Sequence, residues 1–315
     1  MSTRCTDSGF NDWTPEQLPN LAGKTYLITG GNAGIGIEAA KMLATADANI
    51  IVACRNAEKA QQATEDLSAL GSGSCESVTI DLSSMASVRS AAAEVRERHQ
   101  KLDGLINNAG IMQTPQTTTV DGFELQLATN HLGHFLLAGL LFDLVEKAAG
   151  RFVVISSIAH KFGTINFDDL MGTKNYSPTT AYSQSKLANL LFALELDRKL
   201  KAIGASASCI ACHPGYSATQ LQDTGPKGLL NSLYKLMNPL LAQPAYRGAI
   251  PTVLAAAGRE AVPGAYYGPQ SMGEARGRVS DAIVATRAQD LDVAARLWSV
   301  SEKLVQHDWF SKPAK

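Results

Sequence analysis

The feature that most constrains the fold is a regular alternation of short apolar, β-branched runs with longer amphipathic stretches. The apolar runs lie at 24–30, 48–55, 76–82, 102–108, 151–157 and 205–215. Helix-length amphipathic stretches lie at 34–45, 57–70, 121–148 and 181–202. Strands that are apolar throughout are buried on both faces, and right-handed crossovers place helices on both sides of the sheet. The alternation therefore predicts an α/β fold with a doubly wound, mostly parallel sheet.

A single domain is predicted for residues 23–315, because no Gly/Ser-rich linker divides the chain after a polar leader at 1–22. Residues 216–243 interrupt the alternation with prolines among leucines, which predicts a mobile helical insertion. Its apolar side chains suggest a lid over a hydrophobic substrate. The stretch 281–305 predicts a terminal helix.

Composition excludes several classes of protein. A formal net charge of −1 argues against non-specific nucleic-acid binding. No run of 18 apolar residues occurs, so no membrane span is expected. The first 23 residues lack the apolar core of a secretory signal, and five scattered cysteines show no disulfide framework. We therefore expect a cytoplasmic protein with reduced thiols.

Residues 209–213 read CIACH, the C-x-x-C-H pattern of covalent haem attachment. Because this run lies within the sixth predicted strand, Cys209 and Cys212 are expected to point to opposite faces of the sheet. One haem cannot bond to both sulfur atoms in that arrangement, and the same geometry excludes a redox pair. We interpret both cysteines as small buried hydrophobic residues.

A glycine-rich turn, TGGNAGIG at 29–36, follows the first predicted strand and precedes a helix. Gly30 permits a tight turn, Gly34 lets the backbone approach a pyrophosphate, and Gly36 allows close helix–strand packing. The free N–H groups of the helix N-terminus would then bind the anion. This context predicts a dinucleotide-binding turn, although a plain tight turn would have the same glycines.

The ends of the next two strands suggest which dinucleotide binds. The second strand ends in ACRN, without the acid that binds the 2′-hydroxyl of NAD, and Arg55 can pair with a 2′-phosphate. This pattern favours NADP(H), although Arg55 could also be a solvated side chain. Asp81 and the Leu82 backbone end the third strand and could bind adenine, or Asp81 could cap the following helix, as could Ser83 or Ser84.

The stretch AYSQSK predicts the reaction centre. Tyr182 and Lys186 are four residues apart and share one face of the predicted helix. A phenol has a reference pKa near 10, and a nearby ammonium would favour its ionised form. Ser157 ends the fifth strand at the same edge of the sheet and could hold a carbonyl oxygen. Asn130 could anchor a proton-relay water to Lys186, or be a satisfied polar residue within a helix.

Other polar residues lie at the same predicted edge. Asn107 and Asn108 end the fourth strand in NNAG, where a turn is the alternative interpretation. After the sixth strand, HPGYSAT would cover the nicotinamide, with Thr219 placed for its carboxamide. His131 and His134 are three residues apart, but no further ligand completes a metal site nearby, and none is expected.

Taken in order, TGGNAGIG, DL, NNAG, TNHLGHF, ISS, Y-x-x-x-K and HPG resemble the classical short-chain dehydrogenase/reductase family over roughly residues 22–260. TNHLGHF, SSIAH and YSQSKLANLLFALEL resemble its retinol dehydrogenase-like branch. The resemblance implies a single Rossmann domain with a seven-stranded sheet. It also implies a catalytic tetrad, with Tyr182 as proton donor and acceptor, Ser157 orienting the substrate oxygen, Lys186 tuning Tyr182 and binding ribose, and Asn130 holding the relay.

The resemblance also implies a set of cofactor-binding residues along the strand ends. These are Gly30, Asn32, Gly34, Ile35, Gly36, Arg55, Asn56, Asp81, Leu82, Asn108, Ala109, Gly110, Tyr182, Lys186, Pro214, Gly215, Ser217 and Thr219. Two departures from the family pattern matter. The segment between Ser157 and Tyr182 is longer than in simple members, as in the retinol dehydrogenase-like branch, and we expect none of the membrane anchor that several animal members carry.

The sequence thus predicts an NADP(H)-dependent oxidoreductase that transfers a hydride between nicotinamide and a carbonyl or alcohol carbon, acting as a carbonyl reductase on a mostly hydrophobic substrate. Two alternatives stay open: a C=C reductase similar to protochlorophyllide reductase, and a non-catalytic NADP(H)-binding sensor on the same fold. No nucleic-acid partner is expected. The helices predicted at 121–148 and 181–202 could pair in a homo-oligomer.

Overall fold

The computed structural model describes residues 3–216 and 243–310, and all structural statements below concern these residues. The strands are β1 Thr3–Arg4, β2 Thr25–Thr29, β3 Asn49–Cys54, β4 Cys75–Thr79, β5 Gly104–Asn107, β6 Arg151–Ile155, β7 Ser208–Cys212, β8 Tyr266–Ser271, β9 Arg276–Asp281 and β10 Ile283–Val284. The α-helices are α1 Gly34–Thr45, α2 Ala57–Ser68, α3 Met85–Arg98, α4 Leu125–Leu127, α5 Gly133–Leu140, α6 Phe142–Lys147, α7 Pro178–Ala202, α8 Ala245–Ala257 and α9 Leu291–Val305.

Eight strands form one sheet in the order β4-β3-β2-β5-β6-β7-β8-β9. The seven from β4 to β8 are parallel, which confirms the predicted doubly wound, mostly parallel sheet. β9 adds an antiparallel edge strand that the sequence analysis did not predict. From β2 the chain adds β3 and β4 toward one edge of the sheet, and from β5 onward it adds strands toward the other edge. The switch point, where open α/β sheets bind ligands, is therefore at the carboxyl ends of β2 and β5.

Side chains along each central strand alternate between two apolar cores, one on each face of the sheet. Cys209 packs in the core under α5 and α7, whereas Cys212 packs in the core under α1 and α8. Both are free thiols and fully buried. The prediction that they lie on opposite faces is confirmed, and the haem-attachment interpretation is excluded.

The single helix predicted over 121–148 is wrong. Residues before α4 form a turn closed by Gly122, whose φ is +83°, and Glu124 caps α4 by accepting hydrogen bonds from Gln126 and Leu127. A π-helical turn at Ala128–Leu132 then leads into α5, and Leu141 separates α5 from α6. A leucine-rich run is apolar all round, so its periodicity does not reveal such interruptions.

The terminal helix predicted over 281–305 is also wrong at its start. Asp281 ends β9, Ile283–Val284 form β10, a 3₁₀-helix spans Thr286–Gln289, and α9 begins at Leu291. Asp290 fixes that start, because its side chain accepts hydrogen bonds from the backbone of Asp292 and Val293. α9 packs against α5 and α7. The proposed pairing of chains through 121–148 and 181–202 stays a prediction.

The polar leader packs onto the domain. β1 pairs with β10, Ser8 donates to Asp281, and Trp13 is 1% exposed with its indole N–H donating to Glu260 at 2.8 Å. The predicted insertion at 216–243 lies outside the described residues except for its two ends. Among the residues described, the search for a helix both long and apolar enough to cross a bilayer finds none.

Candidate active site

The glycine-rich turn has the geometry of an anion cradle. Gly30 and Gly34 have φ of +65° and +55°, a region that favours glycine. A Cβ on Gly36 would lie 2.2 Å from the Gly30 oxygen, so only glycine fits there. α1 begins at Gly34, and its N-cap, Ala33, has no side-chain cap, which leaves the first N–H groups for a ligand. Asn32 is half-buried and Ile35 is buried in the same turn.

Arg55 is exposed one residue after β3, at the carboxyl end of the strand. Within residues 3–216 and 243–310, no acidic side chain pairs with it. Asn56, in contrast, caps α2, since its Oδ1 accepts a hydrogen bond from Lys59 N at 2.7 Å. The guanidinium is therefore available to an anion at this edge, whereas the Asn56 side chain already serves the fold.

Asp81 lies two residues beyond the end of β4 and does not end the strand as predicted. Its Oδ1 accepts hydrogen bonds from Ser83 N at 2.9 Å and Ser83 Oγ at 2.7 Å. Ser84 caps α3, which confirms one of the two predicted caps. The Leu82 side chain is buried in the core, so only its backbone could meet a ligand. This carboxylate oxygen shapes the turn that enters α3, and the predicted contact of Asp81 with adenine stays a prediction.

The NNAG turn is tied to the glycine-rich turn by Thr29, which the sequence analysis missed. Its hydroxyl oxygen accepts hydrogen bonds from Asn108 N at 2.9 Å and Ala109 N at 3.0 Å, and Asn108 Nδ2 donates to Thr29 O at 2.8 Å. Asn107 is fully buried, and neither polar atom of its side chain has a hydrogen-bond partner among the residues that the structure describes. A buried polar side chain without a partner at a strand end is typical of a site that takes a ligand or water.

Asn130 lies in the π-helical turn with 0% exposure. Its Oδ1 accepts from Ile111 N at 2.8 Å, and its Nδ2 donates to Ile111 O and Ser185 Oγ, both at 2.9 Å. A Cβ on Gly110 would lie 3.2 Å from Asn130 Oδ1 and 3.5 Å from Lys186 Nζ. The side chain is thus a satisfied polar group that holds the main chain beside the NNAG turn.

Lys186 and Tyr182 lie on α7, which begins at Pro178 behind the cap of Ser177. The Lys186 side chain is buried, its Nζ donates to Ile155 O at 3.3 Å, and the Nζ lies 5.8 Å from the centroid of the half-buried Tyr182 ring. Burial lowers the pKa of Lys186 to about 8. The two residues therefore share one helix face at the carboxyl end of β6, with the amine still cationic at neutral pH.

Ser157 lies two residues after β6 and caps the 3₁₀-helix Ile158–Phe162. Its Oγ accepts a hydrogen bond from Ala159 N at 3.2 Å and is half-buried. The neighbouring Ser156 is buried and donates to Lys186 O at 2.8 Å, which joins this turn to α7. With one lone pair engaged by an amide, the Ser157 hydroxyl proton is free to be donated.

After β7, Gly215 has a φ of +68°, and its N–H donates to His213 Nδ1 at 3.2 Å. Pro214 and Gly215 are half-buried at the carboxyl end of the strand, as predicted. Ser217 and Thr219 lie outside the described residues, so their predicted contacts with a cofactor stay predictions.

The two histidines considered as metal ligands serve the packing instead. His134 Nε2 contacts Thr29 Oγ at 2.8 Å and its Nδ1 donates to Asn130 O at 3.0 Å, while His131 Nε2 contacts Ser301 Oγ at 2.9 Å. Burial lowers the pKa of His134 to about 4 and that of His131 to about 3. Among the residues the structure describes, no group of three His, Cys, Asp or Glu forms a metal site.

Sequence reasoning missed Thr29, the contact of His134 with it, and the buried Glu274 of the β8–β9 turn. A polar residue between apolar strand residues was the available signal for Thr29. The hydrogen bonds of His134 run to Thr29 at the end of β2 and to Asn130 O within TNHLGHF, and the spacing of the motif could not reveal the contact with Thr29.

The fold and this site define an α/β oxidoreductase of the dinucleotide-binding class. The short chain dehydrogenase family matches residues 24–228. The chain is 40% identical over 298 residues to retinol dehydrogenase 13 of Homo sapiens, across 90% of this chain and 85% of that protein. It is 39% identical over 300 residues to retinol dehydrogenase 12 of Mus musculus, across 94% and 90%. It therefore belongs to the short-chain dehydrogenase/reductase family, in the branch of the retinol dehydrogenases.

A solved structure agrees with this assignment. The crystal structure of an uncharacterized protein from Mycobacterium Paratuberculosis matches with a TM-score of 0.80 and 39% identity, across 95% of this chain and 99% of that chain. The resemblance inferred from the motifs is confirmed, as is a hydride-transferring oxidoreductase of a family that uses nicotinamide dinucleotides.

Proposed function

We propose that this protein is an NADP(H)-dependent carbonyl reductase for hydrophobic aldehydes and ketones, with Asn130, Ser157, Tyr182 and Lys186 as its reaction centre. The observation that carries the proposal is the Lys186 ammonium, buried at the carboxyl end of β6 on the same helix face as Tyr182. Buried cations without a carboxylate partner are costly, and such groups concentrate at functional sites.

The residues present fit the cofactor. The uncapped start of α1 and the glycines before it suit a pyrophosphate, and Gly110 leaves space beside Asn130 and Lys186 that a Cβ would fill. The nicotinamide would supply or take the hydride. Lys186 would hold the nicotinamide ribose, and the exposed Arg55 would bind a 2′-phosphate.

The chain's own residues account for the proton. Tyr182 would donate its phenolic proton to the substrate oxygen, and the Lys186 ammonium would stabilise the phenolate that remains. Ser157, whose Oγ already accepts from Ala159 N, would donate its hydroxyl proton to the same substrate oxygen. Because every polar atom of the Asn130 side chain is bonded to Ile111 or Ser185, we assign that side chain a positioning role.

The preference for NADP(H) depends on Arg55. RhlG of Pseudomonas aeruginosa and a short chain dehydrogenase of Burkholderia cenocepacia were solved with NADP, at 24% and 23% identity. That likeness concerns the fold alone, so it adds nothing to the choice between the two cofactors. Since the curated relatives are named retinol dehydrogenases, retinal is the first hydrophobic aldehyde to test.

The test is NADPH consumption with retinal, aliphatic aldehydes and polycyclic ketones, followed by product analysis. We expect alcohol products and a loss of at least about hundredfold in kcat/KM for Tyr182→Phe. Tyr246→Phe, at an exposed tyrosine of α8, is the matched control and should retain full activity. Full activity of Tyr182→Phe would refute the assignment, products reduced at C=C would favour the alternative reductase, and NADPH binding without turnover would favour a sensor.

A further inference from the structure

The turn between β8 and β9 is unusual in its backbone. Three successive residues, Met272, Gly273 and Glu274, have positive φ of +53°, +66° and +68°. Residues other than glycine rarely adopt this conformation, and strained backbone persists only where surrounding contacts hold it. Glu274 is also 5% exposed, although carboxylates are seldom buried unless they are paired.

The Glu274 carboxylate joins two separate parts of the chain. Its Oε2 accepts from Lys161 Nζ at 2.5 Å, and its Oε1 accepts from Ile283 N at 2.6 Å. Lys161 belongs to the 3₁₀-helix that Ser157 caps, and Ile283 begins β10. The carboxylate therefore links the turn that contains Ser157 with β10 in the C-terminal part of the domain.

A third group faces the same carboxylate. His213 is fully buried, and its Nε2 lies 3.9 Å from Glu274 Oε2 with no hydrogen-bond partner in the described part of the chain. Because His213 Nδ1 accepts from Gly215 N, the neutral ring carries its proton on Nε2, which is the atom facing the carboxylate. The negative charge therefore favours the tautomer that holds Gly215.

The same turn also contacts the loop after β7 directly. Ala275 O accepts from Tyr216 N at 2.7 Å, and a Cβ on Gly215 would lie 2.4 Å from Ala275 O. Tyr216 O in turn accepts from Gln243 N at 2.9 Å. The β8–β9 turn thus packs against the loop that follows β7 and, through Lys161, against the turn of Ser157.

We propose that Glu274 is a positioning residue that couples the cofactor side of the site, at Gly215, to the substrate side, at Ser157. It acts through His213 and Lys161. The inference rests on the proposed function of Ser157 and Gly215, and it extends the reaction centre to a hairpin beyond the family match at 24–228. Loss of the carboxylate charge would loosen the turn of Ser157 and the loop of Gly215, although the four residues of the reaction centre themselves would be unchanged.

The test measures NADPH affinity by fluorescence and kcat by carbonyl reduction. Glu274→Gln keeps the shape and an acceptor for Ile283 N but removes the charge, and we expect about tenfold weaker NADPH binding and about tenfold lower kcat. Lys161→Met should lower kcat with NADPH affinity unchanged, because Lys161 links Glu274 to the turn of Ser157, whereas Glu274 acts on Gly215 through His213. The double variant should show no further loss of kcat than Glu274→Gln alone.

Met272→Gly is the matched control, since it relieves the left-handed strain of the same turn at an exposed residue and should leave both constants unchanged. The inference is overturned if Glu274→Gln stays within twofold of Met272→Gly in both constants, or if the double variant is additive in kcat. Lys161→Met decides the matter alone if Glu274→Gln fails to fold, because an unchanged kcat would overturn the coupling. If the wild type does not reduce carbonyls, the proposed function is refuted. The NADPH affinities of the wild type and Glu274→Gln would then still decide whether Glu274 positions the loop of Gly215.

Discussion

The two halves of the sheet edge use side chains in opposite ways. At the ends of β3 and β4, Arg55 is exposed, Asn56 caps α2, and Asp81 holds the turn before α3. At the ends of β5 to β7, Asn130 and Lys186 are buried and bonded to neighbouring elements. In the first half, a ligand would therefore meet main-chain groups and one charged side chain. In the second half, it would meet a packed network of side chains.

This difference teaches where substitutions should matter. A buried polar group that loses its partner costs its full desolvation, whereas an exposed side chain can be replaced with little effect on the fold. We therefore expect large, coupled losses in the second half and selective effects on cofactor affinity in the first.

The largest effect is expected for Asn130→Ala. The substitution leaves Ile111 N and Ile111 O without the Asn130 side chain, at a cost of about 1–3 kcal/mol for each unsatisfied group, while Ser185 Oγ keeps its bond to Tyr182 O. We expect about hundredfold lower kcat/KM in a steady-state assay, because the main chain beside Gly110 moves. Asn175→Ala, in an exposed loop, should match the wild type, and equal activity of the two variants would remove the contrast between the halves.

A smaller and more selective effect is expected for Arg55→Gln. A charge-assisted hydrogen bond to phosphate is worth about 2 kcal/mol, so the NADPH dissociation constant should rise about thirtyfold while that for NADH stays the same. Arg259→Gln, at an exposed arginine beyond α8, provides the comparison. If Arg55→Gln weakens NADH and NADPH equally, then Arg55 does not distinguish the cofactors.

The smallest effect is a difference in acid stability. Burial lowers the pKa of His134 to about 4, below its unfolded value near 6.5, so the unfolded chain binds the extra proton and stability falls as the pH drops from 6.5 toward 4. One such histidine contributes about 1.4 kcal/mol per pH unit in that window. In urea unfolding, the free energy of unfolding of His134→Asn should therefore fall less steeply with decreasing pH between 6.5 and 4, by this amount per pH unit, than that of the wild type. Equal slopes for the two proteins would contradict the prediction.

The sequence predicted the parallel sheet and α1 well, because continuous apolar strands and a glycine-rich turn are local signals. α1 spans Gly34–Thr45, the range predicted. The interruption at Ala128–Leu132 and the β8–β9 hairpin were missed for a common reason. Both depend on contacts between residues far apart in the chain, such as Asn130 with Ser185 and Glu274 with Lys161, and no periodicity records them.

The same distinction applies to the site. Motif spacing brought Tyr182 and Lys186 to one helix face, which the structure shows. It could not show that Asp81 Oδ1 accepts hydrogen bonds from Ser83, because a turn-forming acid and a ligand-binding acid both follow a strand.

The measurement that tests the central claim most directly is the pH dependence of kcat/KM for NADPH-dependent carbonyl reduction between pH 6 and 10. The claim is that the charged Lys186 stabilises the Tyr182 phenolate as the proton leaves. Since burial lowers the pKa of Lys186 to about 8, we predict that kcat/KM is constant below that pH and falls about tenfold per unit above it. A profile that stays flat to pH 10 would contradict the account.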